Sequence, residues 1–209
     1  MLKKLDIGKF KEYSLILGYF TALFSATCFF FDAHKIAVFG TIIQFPVGLV
    51  FFPLTFAFSN IIQDRIGKKA ANSLVLAGFI FNNLLVFGSF FLASIGDRFD
   101  YFTVFKDMLT IMISTWVFIG IASIFNILLY AYLQRIPPRN IIIRLFRFFI
   151  SITATEILIS TMSMPLLFYK HGLQGSVYFT LLFVVTYKVV ANLIISGIYG
   201  LFSNDRFSE

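Results

Sequence analysis

The hydrophobic positions of this chain are gathered in long runs that contain no charged residue. These runs cover residues 13–31, 36–63, 70–96, 108–134, 148–169 and 172–187, and the last continues past Lys188 to residue 204. A helix needs about 20 mostly apolar residues to cross the hydrocarbon core of a bilayer. The pattern therefore predicts one domain over residues 1–209, with six membrane-spanning helices at about 13–31, 36–63, 70–96, 108–134, 145–169 and 173–203.

Composition supports an all-α membrane protein with several spans. The chain has 209 residues, of which 59% are hydrophobic and only 13% are charged. A soluble domain usually carries about 25% charged residues to cover its surface. The sequence therefore excludes an ordinary soluble globular protein.

The net charge of +7 is distributed unevenly between the two sides of the predicted membrane domain. Twelve basic residues lie on the side of the termini: Lys3, Lys4, Lys9, Lys11, Arg65, Lys68, Lys69, Arg135, Arg139, Arg144, Arg147 and Arg206. Because cytoplasmic loops carry the excess of Lys and Arg, both termini are predicted to be cytoplasmic. We interpret the basic excess as a topology signal and predict no nucleic-acid partner.

The order of the spans predicts two halves of three helices with inverted topology, an arrangement that many secondary transporters share. No residue-level repeat accompanies it. Helix two carries Pro46 and Pro53 in its predicted interior, together with Gln44, Asn60 and Asp64. Proline removes a backbone hydrogen bond and kinks or breaks a helix. We therefore expect helix two to lie inside the bundle, where neighbouring helices can satisfy the freed carbonyls.

Two opposite charges lie deep in the last two spans. Glu156 interrupts the apolar stretch of helix five, and Lys188 is the only charge between residues 172 and 204. A charge at the bilayer centre costs about 2.5–3.5 kcal/mol on insertion scales, so such residues usually have a partner or a function. Both lie near the predicted midplane, on consecutive helices. Either they form a pair that fixes helix register, or they bind a substrate; we favour the second interpretation.

Further polar side chains are candidates for the same site. Asn192 lies one helical turn after Lys188, Tyr187 directly precedes it, and Asn60 and Asp64 share one face of helix two. The simpler interpretation of buried amides, Asn82 and Asn126 included, is an interhelical hydrogen bond of about 0.6 kcal/mol. For Tyr187 and Tyr199 it is an interfacial anchor.

No sequence motif indicates an enzyme. The chain has no Walker-type glycine loop, no His-Glu-x-x-His or Gly-x-Ser-x-Gly motif, and no histidine-rich metal constellation. Its single cysteine, Cys28, excludes an intrachain disulfide and a cysteine-based metal cluster. We expect no catalysis, no metal and no cofactor.

The end of helix two carries a family signature, in the run from Phe52-Pro53-Leu54-Thr55-Phe56 to Asn60, Asp64, Gly67 and the basic Lys68-Lys69. This run resembles the queuosine precursor transporter family, also called the vitamin uptake transporter family. The pair Thr155-Glu156 is similar to the family's Ser-Asp in helix five. The segment Tyr187-Lys188-Val189-Val190, with Tyr199, is similar to its helix-six Lys and Tyr. The chain departs from the family pattern at Asn60, where we expect Asp, at Asp64, where we expect Glu, and at Ile66, where an aromatic residue is common.

The resemblance implies uptake of a 7-deazaguanine base, such as queuine or its precursors, across the bacterial inner membrane. It places Glu156, Lys188, Asn60, Asp64, Asn192 and Tyr187 in a site for a purine-like base, in a protein surrounded by membrane lipid. Two alternatives stay open: a substrate-binding membrane subunit energised by a separate ATPase module, or a structural membrane protein with a buried ion pair. The sequence allows a homodimer without deciding for it.

Overall fold

The computed structural model of the protein describes residues 7–29, 33–38, 40–96, 99–137, 140–171 and 176–203. The basic residues Lys3, Lys4, Arg98, Arg139 and Arg206, and residues 30–31 and 173–175 of the predicted spans, lie outside the described residues. Six α-helices make up most of the described chain: α1 Ile7–Cys28, α2 Phe52–Arg65, α3 Lys68–Ile95, α4 Phe99–Leu133, α5 Ile141–His171 and α6 Val177–Ser203.

A β-hairpin replaces the first part of predicted helix two. Strand β1 (Ala33–Val38) pairs antiparallel with β2 (Thr41–Pro46), from Ala33 opposite Pro46 to Val38 opposite Thr41. Gly40 has a φ of 77°, a turn conformation that glycine adopts without strain. The prediction of one helix over 36–63 is therefore wrong for residues 36–38 and 40–46. The physical reason is a run of β-branched residues, which favours strands over helices.

The two prolines also lie elsewhere than predicted. Pro46 ends β2 and precedes a short 3-10 helix, Val47–Val50. Pro53 lies in the first turn of α2, where the backbone N–H has no helical partner to lose. Neither proline kinks a helix, so the prediction of interior breaks in helix two is wrong. Pro165, by contrast, does lie inside α5.

Helix α2 is the centre of the bundle, as expected. It packs against every other helix, from α1 to α6, whereas the other helices mostly contact their sequence neighbours. Phe56 and Ala57 of α2 join Phe148 and Ile152 of α5 in the largest buried apolar cluster. Because α2 is short and surrounded, most of its polar side chains must find partners inside the protein.

Four segments of the described chain are long and apolar enough to cross a membrane: Val47–Arg65, Lys68–Ile95, Trp116–Leu133 and Val177–Gly200. The protein is therefore a mainly helical membrane protein, with one hairpin that the all-α prediction lacked. The count of six spans, the inverted halves and the cytoplasmic termini stay predictions.

Candidate functional site

Glu156 of α5 and Lys188 of α6 form a buried ion pair. The Lys188 Nζ donates to Glu156 Oε2 and, at 2.9 Å, to Ser160 Oγ. Both charged residues are only 1% exposed. Helices α5 and α6 pack along each other, and Ser160 lies one turn after Glu156, so both α5 side chains face Lys188. The structure thus brings together the two charges that the sequence singled out.

The ion pair leaves hydrogen-bonding capacity unused. Within the described part of the chain, the buried Glu156 Oε1 and Asn192 Oδ1 have no hydrogen-bond partner. The amide nitrogen of Asn192 donates to Thr153 Oγ1 at 3.3 Å. A buried polar atom without a partner costs about 1–3 kcal/mol. Two acceptors left in this state, beside a buried cation, are able to receive N–H groups of a ligand.

The space next to Lys188 is small. A cavity of about 10 Å³ touches it, lined also by Leu49, Phe52, Phe118, Ile119, Ile159 and Ser163. That volume is at the limit for a single water molecule. In this conformation, therefore, the ion pair is enclosed, and no bicyclic ligand fits beside it without movement of the surrounding side chains.

Asn60 belongs to a polar chain that links α2, α4 and α5. Its Oδ1 accepts from Asn126 Nδ2 at 2.8 Å, and Asn126 Oδ1 accepts from Ser151 at 2.9 Å and from Thr155 at 3.4 Å. Thr155 directly precedes Glu156. The interhelical role expected of these amides is confirmed for Asn60 and Asn126. The Asn60 Nδ2, however, is buried without a partner among the described residues.

Asp64 lies in a second ion pair, away from the first. Arg144 of α5 donates to Asp64 Oδ2 through Nη2 and, at 3.1 Å, through Nε, and the Tyr199 hydroxyl donates to the same oxygen. Gln134 adds a bond to Oδ1 at 3.4 Å. Tyr199 lies eleven residues after Lys188 on α6, which corresponds to about 16 Å along the helix. The structure therefore does not bring Asp64 to the Glu156–Lys188 pair.

The two tyrosines of α6 differ in environment. Tyr187 is half-buried and directly precedes Lys188 on the helix. Tyr199 is 4% exposed, stacks on Phe148 with ring centroids 4.5 Å apart, and accepts from Arg144 at 2.8 Å. The interpretation of Tyr199 as an interfacial anchor is thus wrong, because the residue is part of the core.

Two charged or polar partners of the predicted site residues, Ser160 and Arg144, stand out among the network residues that were not sequence candidates. Ser160 could have been found from its spacing, since a residue four positions after Glu156 lies on the same helix face. Arg144 was assigned to a basic loop between helices four and five, whereas it lies in the first turn of α5 and is buried. Only the position of Asp64, 80 residues earlier, reveals its role.

Comparison with known proteins identifies the family. Residues 46–202 match the model of a family described as "Putative vitamin uptake transporter". No curated protein and no solved structure matches the chain. The match begins at the end of β2, extends to the last helix and includes both ion pairs. Since it covers well over half of the 209 residues, the chain belongs to the vitamin uptake transporter family, a family of membrane uptake transporters.

Proposed function

We propose that this protein imports a 7-deazaguanine base, such as queuine or one of its precursors, across the inner membrane of a bacterium. The carrier works by alternating access, with both termini in the cytoplasm and without its own nucleotide hydrolysis. One observation carries the proposal: a buried carboxylate, paired with Lys188, that keeps its Oε1 without a partner among the described residues. The substrate class comes from the family resemblance.

The chemistry of the pair suits a guanine-like edge. Such a base presents adjacent N–H donors, which a carboxylate such as Glu156 accepts in a bidentate manner. Its carbonyl oxygen accepts from the Lys188 ammonium group. The Asn192 Oδ1 supplies one further acceptor. Because each mismatch would leave a buried group unpaired, this arrangement selects by donor and acceptor pattern.

Asn60 and Tyr187 have supporting roles in the proposed site. The free Nδ2 of Asn60 is a donor for a ring nitrogen or carbonyl of the base. In the family pattern an acidic residue occupies this position, and its carboxylate would accept a hydrogen bond instead. Tyr187 and nearby phenylalanines offer flat faces for the ring. Asp64 is assigned to the second ion pair, which holds α2 against α5 and α6.

The enclosed state of the pair is consistent with alternating access. A site that is closed when empty must open to one side of the membrane to admit the base and to the other side to release it. The cavity of about 10 Å³ beside Lys188 corresponds to such a closed state. Helix α2, which contacts all other helices, is the element against which the outer helices would move.

Uptake by the purified protein tests the proposal. The wild-type chain alone is placed in liposomes, and entry of labelled queuine is followed with and without a pH gradient. Glu156→Gln and Lys188→Met are compared with Thr161→Val, a change on the exposed face of α5 at a hydroxyl that donates to the Ile157 carbonyl of the same helix. We expect entry with the wild type and Thr161→Val, and little entry with the two site variants.

The other outcomes separate the alternatives. Binding of queuine without entry would contradict a self-sufficient carrier and favour a substrate-binding subunit that a separate ATPase module energises. A well-folded wild-type protein that neither binds nor moves the base would favour a structural role. Entry that is faster under a pH gradient would assign proton coupling to the carrier.

A further inference from the structure

A groove of about 530 Å³ lies between α1, α3 and α4. It begins at Lys68, at the start of α3, and extends to Trp116 and Ile119 of α4. Binding sites for small molecules typically have volumes of about 300–1,000 Å³. Unlike the cavity at Lys188, this groove is large enough for a bicyclic base without rearrangement.

The wall of the groove is mostly apolar and carries a few polar groups. Asn72, Asn82 and Ser123 line it together with Trp116. The indole Nε1 of Trp116 is buried and has no hydrogen-bond partner within the described ranges. An apolar wall with a few placed donors and acceptors is typical of a site for a polar-edged small molecule. A lipid acyl chain would leave the Trp116 Nε1 donor unpaired.

Trp116 provides a flat aromatic surface in the wall of the groove. Its ring lies 6.0 Å from that of Phe79, which also lines the groove, and 5.5 Å from that of Phe87, which does not. Aromatic faces attract planar heterocycles by offset stacking. The groove therefore suits a planar base in shape as well as in polarity.

Ile119 is shared by the groove and the small cavity beside the ion pair. Its side chain lines both the groove and the small cavity at Lys188. It also packs against both buried clusters that flank the centre of the bundle. Ile119 is thus the residue that the linings of the groove and of the enclosed cavity have in common.

We propose that the groove is a first binding site for the same planar base, distinct from the Glu156–Lys188 site and sharing Ile119 with the cavity beside it. This inference rests on the proposed function, because it takes its ligand from there. The base stacks against Trp116 and then passes Ile119 when the bundle opens.

Trp116 is the only tryptophan of the chain, so its fluorescence reports the occupancy of the groove directly. Purified full-length protein in lipid nanodiscs is titrated with queuine, and emission is corrected for absorption by the base. We expect saturable quenching in the wild type. The double variant E156Q/K188M should lose uptake and keep the quenching, because the two sites are distinct.

A pair of glycine variants tests the location. Gly120 lines the groove, and a Cβ added there would have no heavy atom within 4 Å, so Gly120→Leu starts its side chain in open space at the groove. Gly88 has equally open surroundings and lies outside the groove, which makes Gly88→Leu the matched control. We expect the apparent affinity for quenching to fall about tenfold or more in Gly120→Leu and to stay unchanged in Gly88→Leu.

Several results would overturn the inference. If the wild type takes up queuine while its Trp116 emission stays unchanged, the groove site is contradicted and the proposed transport is not. Quenching that vanishes in E156Q/K188M also contradicts a separate groove site. Lipids with brominated acyl chains provide a further test. If they quench Trp116 and added queuine does not relieve that quenching, the groove is occupied by lipid. By contrast, quenching by queuine without any uptake supports the groove site and contradicts the proposed transport.

Discussion

Lys188 and Glu156 meet in an ion pair that occupies only one of the two carboxylate oxygens. The other oxygen, Oε1, is buried and has no hydrogen-bond partner among the described residues. A pair that served only to hold two helices together would gain from satisfying both oxygens, since each unpaired buried group lowers stability. The free oxygen therefore favours a binding role over a purely structural one.

Neutralising the pair separates binding from stability. Glu156→Gln or Lys188→Met alone leaves one buried charge unpaired and should lower the free energy of unfolding by about 3–5 kcal/mol. The double variant E156Q/K188M removes both charges, so we expect it to recover much of that stability. Uptake of queuine should stay low in all three. Full uptake at normal expression in both single variants would show that the pair is only scaffolding.

The Asp64–Arg144 pair should contribute to the free energy of unfolding. Arg144→Gln removes the partner of a largely buried carboxylate and also a donor to Tyr199, so we expect a loss of about 3 kcal/mol. Thermal or denaturant unfolding in detergent measures it. Arg135→Gln, which changes an exposed arginine, is the control and should stay within about 0.5 kcal/mol of the wild type. Equal stability of the two variants would contradict the structural role.

The polar chain through Asn126 gives a third prediction. Asn126→Ala removes the donor to Asn60 and the acceptor of Ser151, and leaves both groups buried. We expect a loss of about 1–3 kcal/mol in the free energy of unfolding. Asn83→Ala, on an exposed face of α3 where the side chain bonds only Phe79 of its own helix, should have little effect. Similar losses in both variants would mean that Asn126 does not connect the helices.

Two glycines of α3 should respond differently to the same change. An added Cβ at Gly78 would lie 2.7 Å from the ring and hydroxyl of Tyr19, whereas at Gly88 it would meet nothing within 4 Å. Gly78→Ala should therefore destabilise by about 1–3 kcal/mol through overpacking against α1. Gly88→Ala should leave stability unchanged or raise it by up to about 1 kcal/mol, because Ala favours helix. A neutral Gly78→Ala would contradict the close packing of α1 on α3.

Much of the fold follows from local sequence, and the exception is the β-hairpin. Long uncharged runs predict helices because a bilayer requires internally bonded, apolar segments. The hairpin over residues 33–46 was missed because its strands are as apolar as a helix and join α2 without a charged break. The β-branched residues on either side of Gly40 contained that signal, which run length alone cannot detect.

The candidate site was predictable only in part. Glu156 and Lys188 lie at similar depths on consecutive helices, so their contact was within reach of sequence reasoning. The partner of Asp64 was not, since Arg144 is 80 residues away and resembles one more member of a basic loop. Nor could spacing show that Ile119 lines both the groove and the cavity at Lys188.

By itself, the sequence determined that the chain is a helical membrane protein with two buried opposite charges, because hydropathy and segment length are local properties. Only the tertiary structure decided that the charges leave one oxygen free, that Asp64 belongs to another network, and that a groove shares Ile119 with the cavity at Lys188. These features depend on how helices from distant parts of the chain pack together, and no local pattern encodes that packing.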